Sequence, residues 1–379
     1  MEEKNVFYRD TWAEIDLDAL FSNISQIREY LPEDTHVFAA VKANAYGHGD
    51  IPTAKTVLAA GVHGLAVAFL DEALAIRDAG ITAPILVLGA TRASDAGIAA
   101  RKNISLTVFQ IDWLQQAEKF ITSDSRLPVH IKCDTGMGRI GITDEDELRK
   151  IDTFIHQSDR FIFNGIFTHF ATADQLDETY YNKQLSRFNH FLSCLETLPP
   201  YVHAANSAAA LCHNDSLFNT VRIGIAMYGL TPSNEIKDIL PFNRKEVFSL
   251  HTKIVHVKKL RAGEKVGYGA DYTASEDEWI ATLPIGYADG WIRKLRGFEV
   301  IADGEMVPLV GKICMDQTMI KLPRSMSVGT QVTLIGKQKD RFISVDDVAK
   351  KLETINYEVT CTITNRVPRV YKMSKTLDK

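Results

Sequence analysis

The segment AVKANAYGHG, residues 40–49, brings a lysine together with a tyrosine and two closely spaced glycines. Lys42 ends an apolar run, and Tyr46, Gly47 and Gly49 suit a turn that leads into the next helix. An amine that is partly removed from water has a lowered pKa and can attack a carbonyl carbon to form a Schiff base. The same lysine could instead extend into solvent beside an ordinary glycine turn, so this segment alone leaves two interpretations open.

Polar residues also stand at or near the ends of three later apolar runs. They are Thr168 and His169, Asn206 and Ser207, and Arg222, which is followed by Gly224 and Ile225. A small hydroxyl and backbone N–H groups near a glycine are suitable donors for a phosphate group. Each residue alone is explained equally well as a buried histidine, a helix cap or a strand residue. Their common position at the carboxyl ends of strands predicts one shared site.

The elements that would carry these residues alternate between strand and helix. Apolar, β-branched runs are followed by segments with apolar residues three and four positions apart, which is typical of parallel α/β folds. Eight strands are predicted, at residues 37–43, 64–68, 84–89, 105–110, 129–134, 163–170, 201–206 and 219–224. This number and spacing favour an N-terminal (β/α)8 barrel, of the kind found in triosephosphate isomerase, and an open doubly wound sheet is the alternative.

The pattern changes after about residue 242. Short strands then follow one another without long helices between them, which predicts a C-terminal, mostly-β domain. We therefore expect a barrel domain over residues 1–242 and a β domain over residues 243–379. An additional strand at residues 11–17 is expected to pair with the β domain.

Composition excludes several classes of protein. The formal net charge of −5 offers no basic surface for nucleic acid, and no segment approaches the roughly 20 apolar residues that span a bilayer. The five cysteines are scattered and show neither the close pairs of a zinc site nor a disulfide pattern. The sequence therefore predicts a cytoplasmic protein with free thiols and no metal.

Taken in order, several motifs resemble those of the alanine racemase family. They are AVKANAYGHG, DTGMGRIG, THFATAD, ANSAA, RIGIAMYG, VGYGADY, PIGYADG and CMDQ, and the resemblance extends over nearly the whole chain. It implies a barrel with a C-terminal β domain, a pyridoxal 5'-phosphate cofactor and a head-to-tail homodimer. It also implies interconversion of L-alanine and D-alanine, with D-alanine used for peptidoglycan precursors.

The resemblance assigns roles to individual residues. Lys42 would form the Schiff base with the cofactor, and Arg222 would hydrogen-bond to its pyridine nitrogen. Because a guanidinium does not readily give up a proton, this nitrogen would stay unprotonated and the ring would be a weak electron sink, as suits a racemase. The remaining cofactor contacts implied are Tyr46, His169, Asn206, Ser207, Gly224, Ile225 and Tyr357.

Racemisation requires a base on each face of the substrate Cα. Lys42 would serve one face, and the resemblance implies that Tyr268 of the partner subunit serves the other. An ordinary tyrosine has a pKa of about 10, so a tyrosine base needs cationic or hydrogen-bonding neighbours. Without the resemblance, Tyr268 would be interpreted as an aromatic residue in a glycine-rich loop.

The implied substrate contacts are Arg139, Tyr287, Cys314, Met315 and Asp316. Arg139 would bind the substrate carboxylate and the phenolic oxygen of the cofactor through its planar guanidinium. Lys132 lies inside a predicted strand, where an amine is costly unless it is paired or modified. The resemblance suggests that Lys132 is carbamylated and holds Arg139, and an ion pair with a carboxylate is the alternative.

Three positions depart from the usual family pattern: Lys312 and Asn365 replace an arginine and an aromatic residue, and Thr360 replaces a proline. Three other functions remain open. A serine or broad-specificity racemase would share the fold, a non-catalytic cofactor carrier would lack the β domain, and a decarboxylase would place an acid at the pyridine nitrogen.

Overall fold

A computed structural model describes residues 7–374. These residues form two compact units. One contains residues 20–45 and 50–245, and the other contains residues 7–19, 46–49 and 246–374. The chain therefore enters the second unit three times, once through the short segment that follows Lys42.

The first unit is built on a closed barrel of eight parallel strands, in which the first strand pairs with the last. The strands are β2 (His36–Ala40), β3 (Gly64–Val67), β4 (Ile85–Val87), β5 (Ser105–Val108), β6 (Leu127–Lys132), β7 (Phe161–Phe167), β8 (Tyr201–His203) and β9 (Thr220–Ile223). The helices of the barrel unit are α1 (Leu17–Tyr30), α2 (Asp50–Ala59), α3 (Leu70–Asp78), α4 (Ala96–Arg101), α5 (Ile111–Ala117), α6 (Glu145–Gln157), α7 (Thr179–Ser193) and α8 (Ser207–Cys212).

The barrel confirms the predicted fold and rules out the open sheet. Every predicted barrel strand is present, and each ends one to three residues before its predicted end. The strands β3, β4, β5, β6 and β9 are buried along their whole length, as expected for parallel strands covered on both faces. Lys42 lies beyond β2 in a turn and does not end the strand.

Helices α6 and α7 of the barrel unit each bury one apolar face. Helix α6 begins after Asp144, whose side chain accepts the Glu147 N–H at 2.9 Å and so caps the first turn. Its buried residues Leu148, Ile151 and Ile155 lie on one face. Helix α7 likewise buries one face, which includes Tyr181, Leu185, Phe188 and Phe191.

The second unit is organised around a ten-stranded sheet with the order β11-β14-β17-β16-β15-β18-β10-β1-β20, to which β19 is added beside β18. Its strands are β1 (Thr11–Asp16), β10 (Phe248–Lys253), β11 (His256–Leu260), β14 (Glu278–Leu283), β15 (Glu299–Ala302), β16 (Glu305–Val310), β17 (Thr318–Leu322), β18 (Gln331–Gln338), β19 (Arg341–Ile343) and β20 (Arg369–Lys372). A separate hairpin joins β12 (Lys265–Val266) to β13 (Tyr272–Thr273).

The β1 strand pairs antiparallel with β10 and parallel with β20, so the N-terminal strand lies inside this sheet. Two short helices, α9 (Val345–Leu352) and α10 (Asn356–Thr362), lie between β19 and β20 in the chain. None of the helices within residues 7–374 is both long enough and apolar enough to cross a membrane.

Candidate active site

Lys42 opens a turn of unusual backbone conformation. Ala43, Asn44 and Ala45 all have φ between 52° and 54° and ψ between 46° and 52°, the left-handed region that costs roughly 1–2 kcal/mol for each residue with a side chain. Glu72 stabilises the turn, because one carboxylate oxygen accepts the Ala43 N–H at 2.7 Å and the other accepts the Ala68 N–H at 2.7 Å. Such strain persists only where tertiary contacts enforce it.

Lys132 is the last residue of β6 and is 4% exposed. Burial, together with the charges of Arg139 and Arg222, lowers the pKa of its amine to about 7. Asp134 acts in the opposite direction, but among the described residues no carboxylate forms an ion pair with this amine. The lowered pKa makes the neutral, nucleophilic form of the Lys132 amine accessible near physiological pH.

Asp134 shapes the loop that carries Arg139. Its carboxylate accepts the backbone N–H groups of Gly136, Gly138 and Arg139, each at 3.0 Å. Burial opposes ionisation of Asp134, but the backbone donors outweigh it and lower the pKa of this carboxyl group. Arg139 is exposed at the side chain, so its backbone is held while its guanidinium stays accessible.

Arg222 is buried and bound by neutral acceptors. Its Nη1 donates to His203 Nδ1 at 2.7 Å, and its Nη2 donates to the carbonyl oxygens of Thr168 and Ala204 at 2.8 and 2.9 Å and faces His169 Nδ1 at 3.2 Å. Burial, followed by the charge of Arg139, lowers the pKa of Arg222 to about 9, which still leaves it charged at neutral pH. None of these bonds uses the Nε–H.

A chain of histidines extends from Arg222 into the barrel. Because Arg222 only donates, His203 must accept at Nδ1, and its Nε2–H then donates to His130 Nδ1 at 2.9 Å. Burial and the charge of Arg222 lower the pKa of His130 to about 3 and that of His203 well below its ordinary value, so both rings are neutral. Gly165 leaves room for this chain, since a Cβ there would lie 2.3 Å from His130 Nδ1.

The predicted phosphate donors also lie together. Asn206 caps α8 by accepting the Ala209 N–H at 3.0 Å. The buried Ser207 hydroxyl oxygen accepts the Gly224 N–H at 2.9 Å and the Ala226 N–H at 3.4 Å. Neither bond uses the Ser207 hydroxyl hydrogen, which can therefore be donated to an anion. Ile225 begins the short turn that follows Gly224.

In the second unit, Tyr46 and Tyr357 form an aromatic pair with ring centroids 6.0 Å apart. Gly47 makes this arrangement possible, because it has a φ of 85° and a Cβ there would lie 2.1 Å from the Thr360 carbonyl oxygen. Burial, and after it the charge of Cys361, raises the pKa of Tyr46, so its phenol remains a neutral donor. Thr360 is fully buried, and within residues 7–374 its hydroxyl has no hydrogen-bond partner.

Of the other predicted residues of this unit, Tyr268, Tyr287, Met315 and Asp316 are exposed and Cys314 is half-buried. The Tyr287 and Ala288 N–H groups donate to the carbonyl oxygens of Cys314 and Met315 at 3.0 and 3.1 Å. Asp316 accepts a hydrogen bond from Arg366 Nη2 at 2.7 Å. Tyr268 lies in the turn between β12 and β13, and its side chain is 73% exposed.

The sequence-predicted residues therefore fall into two groups. The barrel group comprises Lys42, Lys132, Arg139, His169, Asn206, Ser207, Arg222, Gly224 and Ile225, and the β-domain group comprises Tyr46, Tyr268, Tyr287, Cys314, Met315, Asp316 and Tyr357. The sequence analysis missed His130, His203 and Asp134, which position Arg222 and Arg139. The signal available for the histidines was a polar ring inside an apolar strand, in VHIK for His130 and in YVH for His203.

Two family models match the chain. "Alanine racemase, N-terminal domain" matches residues 15–232, and "Alanine racemase, C-terminal domain" matches residues 247–371. Together these matches cover nearly the whole chain, including the C-terminal domain that a non-catalytic cofactor carrier would lack.

Individual relatives agree with the family models. An alanine racemase of Geobacillus stearothermophilus is 58% identical over 367 residues, which are 97% of this chain and 95% of that protein. The crystal structure of an alanine racemase from Bacillus anthracis with bound L-Ala-P has a TM-score of 0.95 and 49% identity, covering 99% of this chain and 98% of that one. A histidine racemase from Leuconostoc mesenteroides has a TM-score of 0.92 and 32% identity, covering 97% of this chain and all of that one.

Proposed function

Because the chain belongs to the alanine racemase family and is an isomerase that racemises alanine, we propose that it uses pyridoxal 5'-phosphate as its cofactor and two protein bases. One base on each face of the substrate Cα removes or returns the proton. Lys42 is one base, and Tyr268 of the partner subunit is the other. The observation that carries this proposal is a group of four cations in the barrel, Lys42, Lys132, Arg139 and Arg222. After burial, the charges of the other three lower the pKa of Lys132, and the charges of all four lower the pKa of His169, so the four side chains lie near one another. The D-alanine product would serve peptidoglycan precursors.

The residues present fit pyridoxal 5'-phosphate. When bound, this cofactor supplies a carbonyl carbon for a Schiff base and a ring that withdraws electrons from the substrate Cα. Lys42 would hold its carbonyl carbon. Ser207 and the backbone near Gly224 would hold its phosphate, because the Ser207 hydroxyl accepts two N–H groups and still has its own hydrogen to donate. Tyr46 and Tyr357 would supply further phenol donors.

Arg222 would set the electronic character of the ring. Its two terminal nitrogens are occupied by two histidine rings and three carbonyl oxygens, and the Nε–H is the donor left for the pyridine nitrogen. A donor that keeps its charge near neutral pH leaves that nitrogen unprotonated. No described carboxylate approaches Arg222, which disfavours the decarboxylase alternative, in which an acid would occupy this place.

Arg139 would bind the substrate carboxylate, and Lys132 would hold Arg139 in position. A neutral amine reacts with carbon dioxide to give a carbamate and one released proton, and the pKa of Lys132 near 7 makes the neutral form available. The carbamate would turn a buried cation into an anion that pairs with Arg139, whose charge otherwise opposes that of Lys132. We therefore propose that Lys132 is carbamylated in the working enzyme.

The second base would come from a second copy of the chain. Tyr268, Tyr287 and Met315 are 73%, 40% and 53% exposed, and such a group of large side chains is typical of a surface that another subunit covers. We propose a homodimer in which this surface completes the partner's site. None of the five cysteines forms a disulfide, which is consistent with the cytoplasm as the location.

Incubation of the purified yellow protein with single enantiomers tests the proposal. L-alanine should give an equal mixture of both enantiomers on chiral chromatography, and D-alanine should do the same. L-serine and L-histidine are the comparison substrates, because a serine racemase was an open alternative and a structural relative is named for histidine. A turnover of either one above that of alanine would contradict the proposed specificity.

A further inference from the structure

Three potential metal ligands meet on the outside of the barrel unit, between α6 and α7. They are Glu145, His190 and Cys194, and one ligand atom of each lies within 4.8 Å of the other two. His190 Nε2 is 2.5 Å from one Glu145 carboxylate oxygen, and the Cys194 thiol donates to the other at 3.4 Å. None of these residues belongs to either group of the candidate active site.

The backbone positions of these residues suit chelation. His190 and Cys194 are four residues apart at the end of α7, so their side chains project from the same face. Glu145 is the first residue of α6, where the Asp144 cap fixes the helix start. Glu145 and His190 are 43% and 56% exposed, which leaves the three donors accessible to an ion from solvent.

The donor types select the ion. One thiolate sulfur, one imidazole nitrogen and one carboxylate oxygen suit Zn²⁺, whereas Mg²⁺ and Ca²⁺ require oxygen ligands. Cys194 also lines a groove of about 460 Å³ together with Arg149, Asp152 and His156. Because Glu145 and His190 are 43% and 56% exposed, water can take the fourth coordination position.

We propose that Glu145, His190 and Cys194 bind a zinc ion that fastens α6 to α7. On binding, the Cys194 S–H bond breaks, its proton passes to solvent, and a sulfur–zinc bond forms. The proton at His190 Nε2, which is donated to Glu145 in the absence of metal, passes to solvent, and Nδ1 carries the single proton of the neutral imidazole, so that Nε2 binds the metal. Glu145 exchanges its hydrogen bonds for a bond to the metal. The negative end of the α7 dipole adds favourable charge next to the ion.

Arg149 is the competing cation. Its Nη2 lies 3.6 Å from Glu145 and its Nη1 donates to the Cys194 carbonyl oxygen at 3.4 Å. Because this side chain is 56% exposed, it can move into solvent when the metal arrives. Removal of its charge by Arg149→Gln is therefore expected to tighten zinc binding.

The place of the site in the chain gives it a structural role. The Arg139 loop ends at Thr143, whose carbonyl oxygen accepts Arg187 Nη2 of α7 at 2.5 Å. The zinc site lies one turn further along α7 and one residue beyond the α6 cap. A bound ion would thus join α6 to α7 next to the end of the loop that carries Arg139.

Equilibrium dialysis of the full-length holoenzyme against buffered Zn²⁺, combined with zinc X-ray absorption, tests the proposal. The expected result is one ion per chain with a Kd of about 1 μM or tighter, one sulfur at about 2.3 Å and nitrogen or oxygen at about 2.0–2.1 Å. Binding should raise Tm by about 3 °C or more.

Cys194→Ser, His190→Gln and Glu145→Gln should each weaken binding by at least about 100-fold and abolish the rise in Tm. Cys212→Ser and His256→Gln are matched controls that should bind zinc as the parent does. Because the three ligands lie at or near the surface, none of these substitutions should disturb the core. The Tm of each variant without metal checks that it folds as the parent does. Equal zinc binding by the parent and the Cys194 variant, or an absorption spectrum without sulfur, would overturn the proposal.

Discussion

The barrel group and the β-domain group of site residues are held in different ways. Lys132, Ser207 and Arg222 are buried, and hydrogen bonds fix Ser207 and Arg222. Tyr268 and Met315 are exposed, and Tyr268 lies in a short hairpin turn. The barrel thus holds its cations and hydrogen-bond donors within one chain, whereas the β domain exposes Tyr268 and Tyr287 and buries Tyr46. This difference agrees with the proposal that a second subunit covers the exposed residues of the β-domain group.

The largest expected effect comes from the barrel group. Lys42→Ala should lower alanine racemisation by about 10³-fold or more, because it removes the only amine proposed for the Schiff base and one of the two bases. Borohydride reduction followed by peptide mass analysis should place the cofactor label on the Lys42 peptide of the parent. Lys119→Ala, at an exposed surface position, is the control and should keep both label and activity. A label on Lys132 or Lys312 would contradict the assignment.

Arg222→Glu tests whether the barrel group also controls the electronic character of the cofactor. A carboxylate here would favour a protonated pyridine nitrogen and a stronger electron sink. Racemisation is expected to fall by roughly 10²–10³-fold, while half-transamination, measured by pyruvate release, should rise. Arg222→Lys keeps the positive charge and should lose racemisation without the rise in pyruvate. Parallel loss of both reactions in the Glu variant, with cofactor retained, would argue against the electronic role.

Removal of carbon dioxide tests whether the buried amine of Lys132 is carbamylated. Since only neutral Lys132 forms a carbamate, and its pKa is about 7, modification should be lost as the pH falls below that value. Activity in carbon-dioxide-depleted buffer should fall by about 10-fold and return with bicarbonate, with more bicarbonate needed at pH 6 than at pH 8. The Lys132→Met variant should not respond to bicarbonate. If the parent shows no bicarbonate response and no carbamate carbon signal by ¹³C NMR, Lys132 is not carbamylated.

The smallest effect is expected in the β domain. Thr360 has a buried hydroxyl that lacks a partner among the described residues, so Thr360→Val should raise the free energy of unfolding by about 1 kcal/mol. Thr362→Val is the matched control in the same helix, because its hydroxyl donates to the Val359 carbonyl oxygen at 2.9 Å and its loss should be neutral or destabilising. Thermal unfolding of both variants measures the contrast, and a less stable Thr360 variant would mean that the hydroxyl is satisfied in solution.

The sequence predicted the barrel because buried parallel strands require continuous apolar runs, which are visible one by one. It placed Lys42 inside a strand because the left-handed turn depends on Glu72, a tertiary contact thirty residues away that periodicity does not reveal. His130 and His203 were missed for a related reason. Their meaning comes from the bond between them, across 73 residues of chain.

The resemblance to a family supplied the β-domain residues, since an exposed tyrosine in a glycine-rich turn has no distinguishing pattern of its own. The role of Asp134, by contrast, could have been predicted from the sequence alone. It stands beside two glycines in DTGMG, and a carboxylate that accepts backbone N–H groups in a tight loop is predictable from these residue types. The Glu145, His190 and Cys194 cluster was not predictable, because its members come from separate helices.

The central claim is that Lys42 of one subunit works with Tyr268 of the other. Lys42→Ala and Tyr268→Phe should each be nearly inactive as homodimers. In a mixed dimer one site receives both substitutions and the other receives neither, so refolding equal amounts together should restore about a quarter of parental alanine racemisation, half of the dimers being mixed and half of their sites intact. Recovery in the mixture and not in either variant refolded alone is the predicted result. No recovery, in a sample in which native mass spectrometry detects the mixed dimer, would show that both bases belong to one chain.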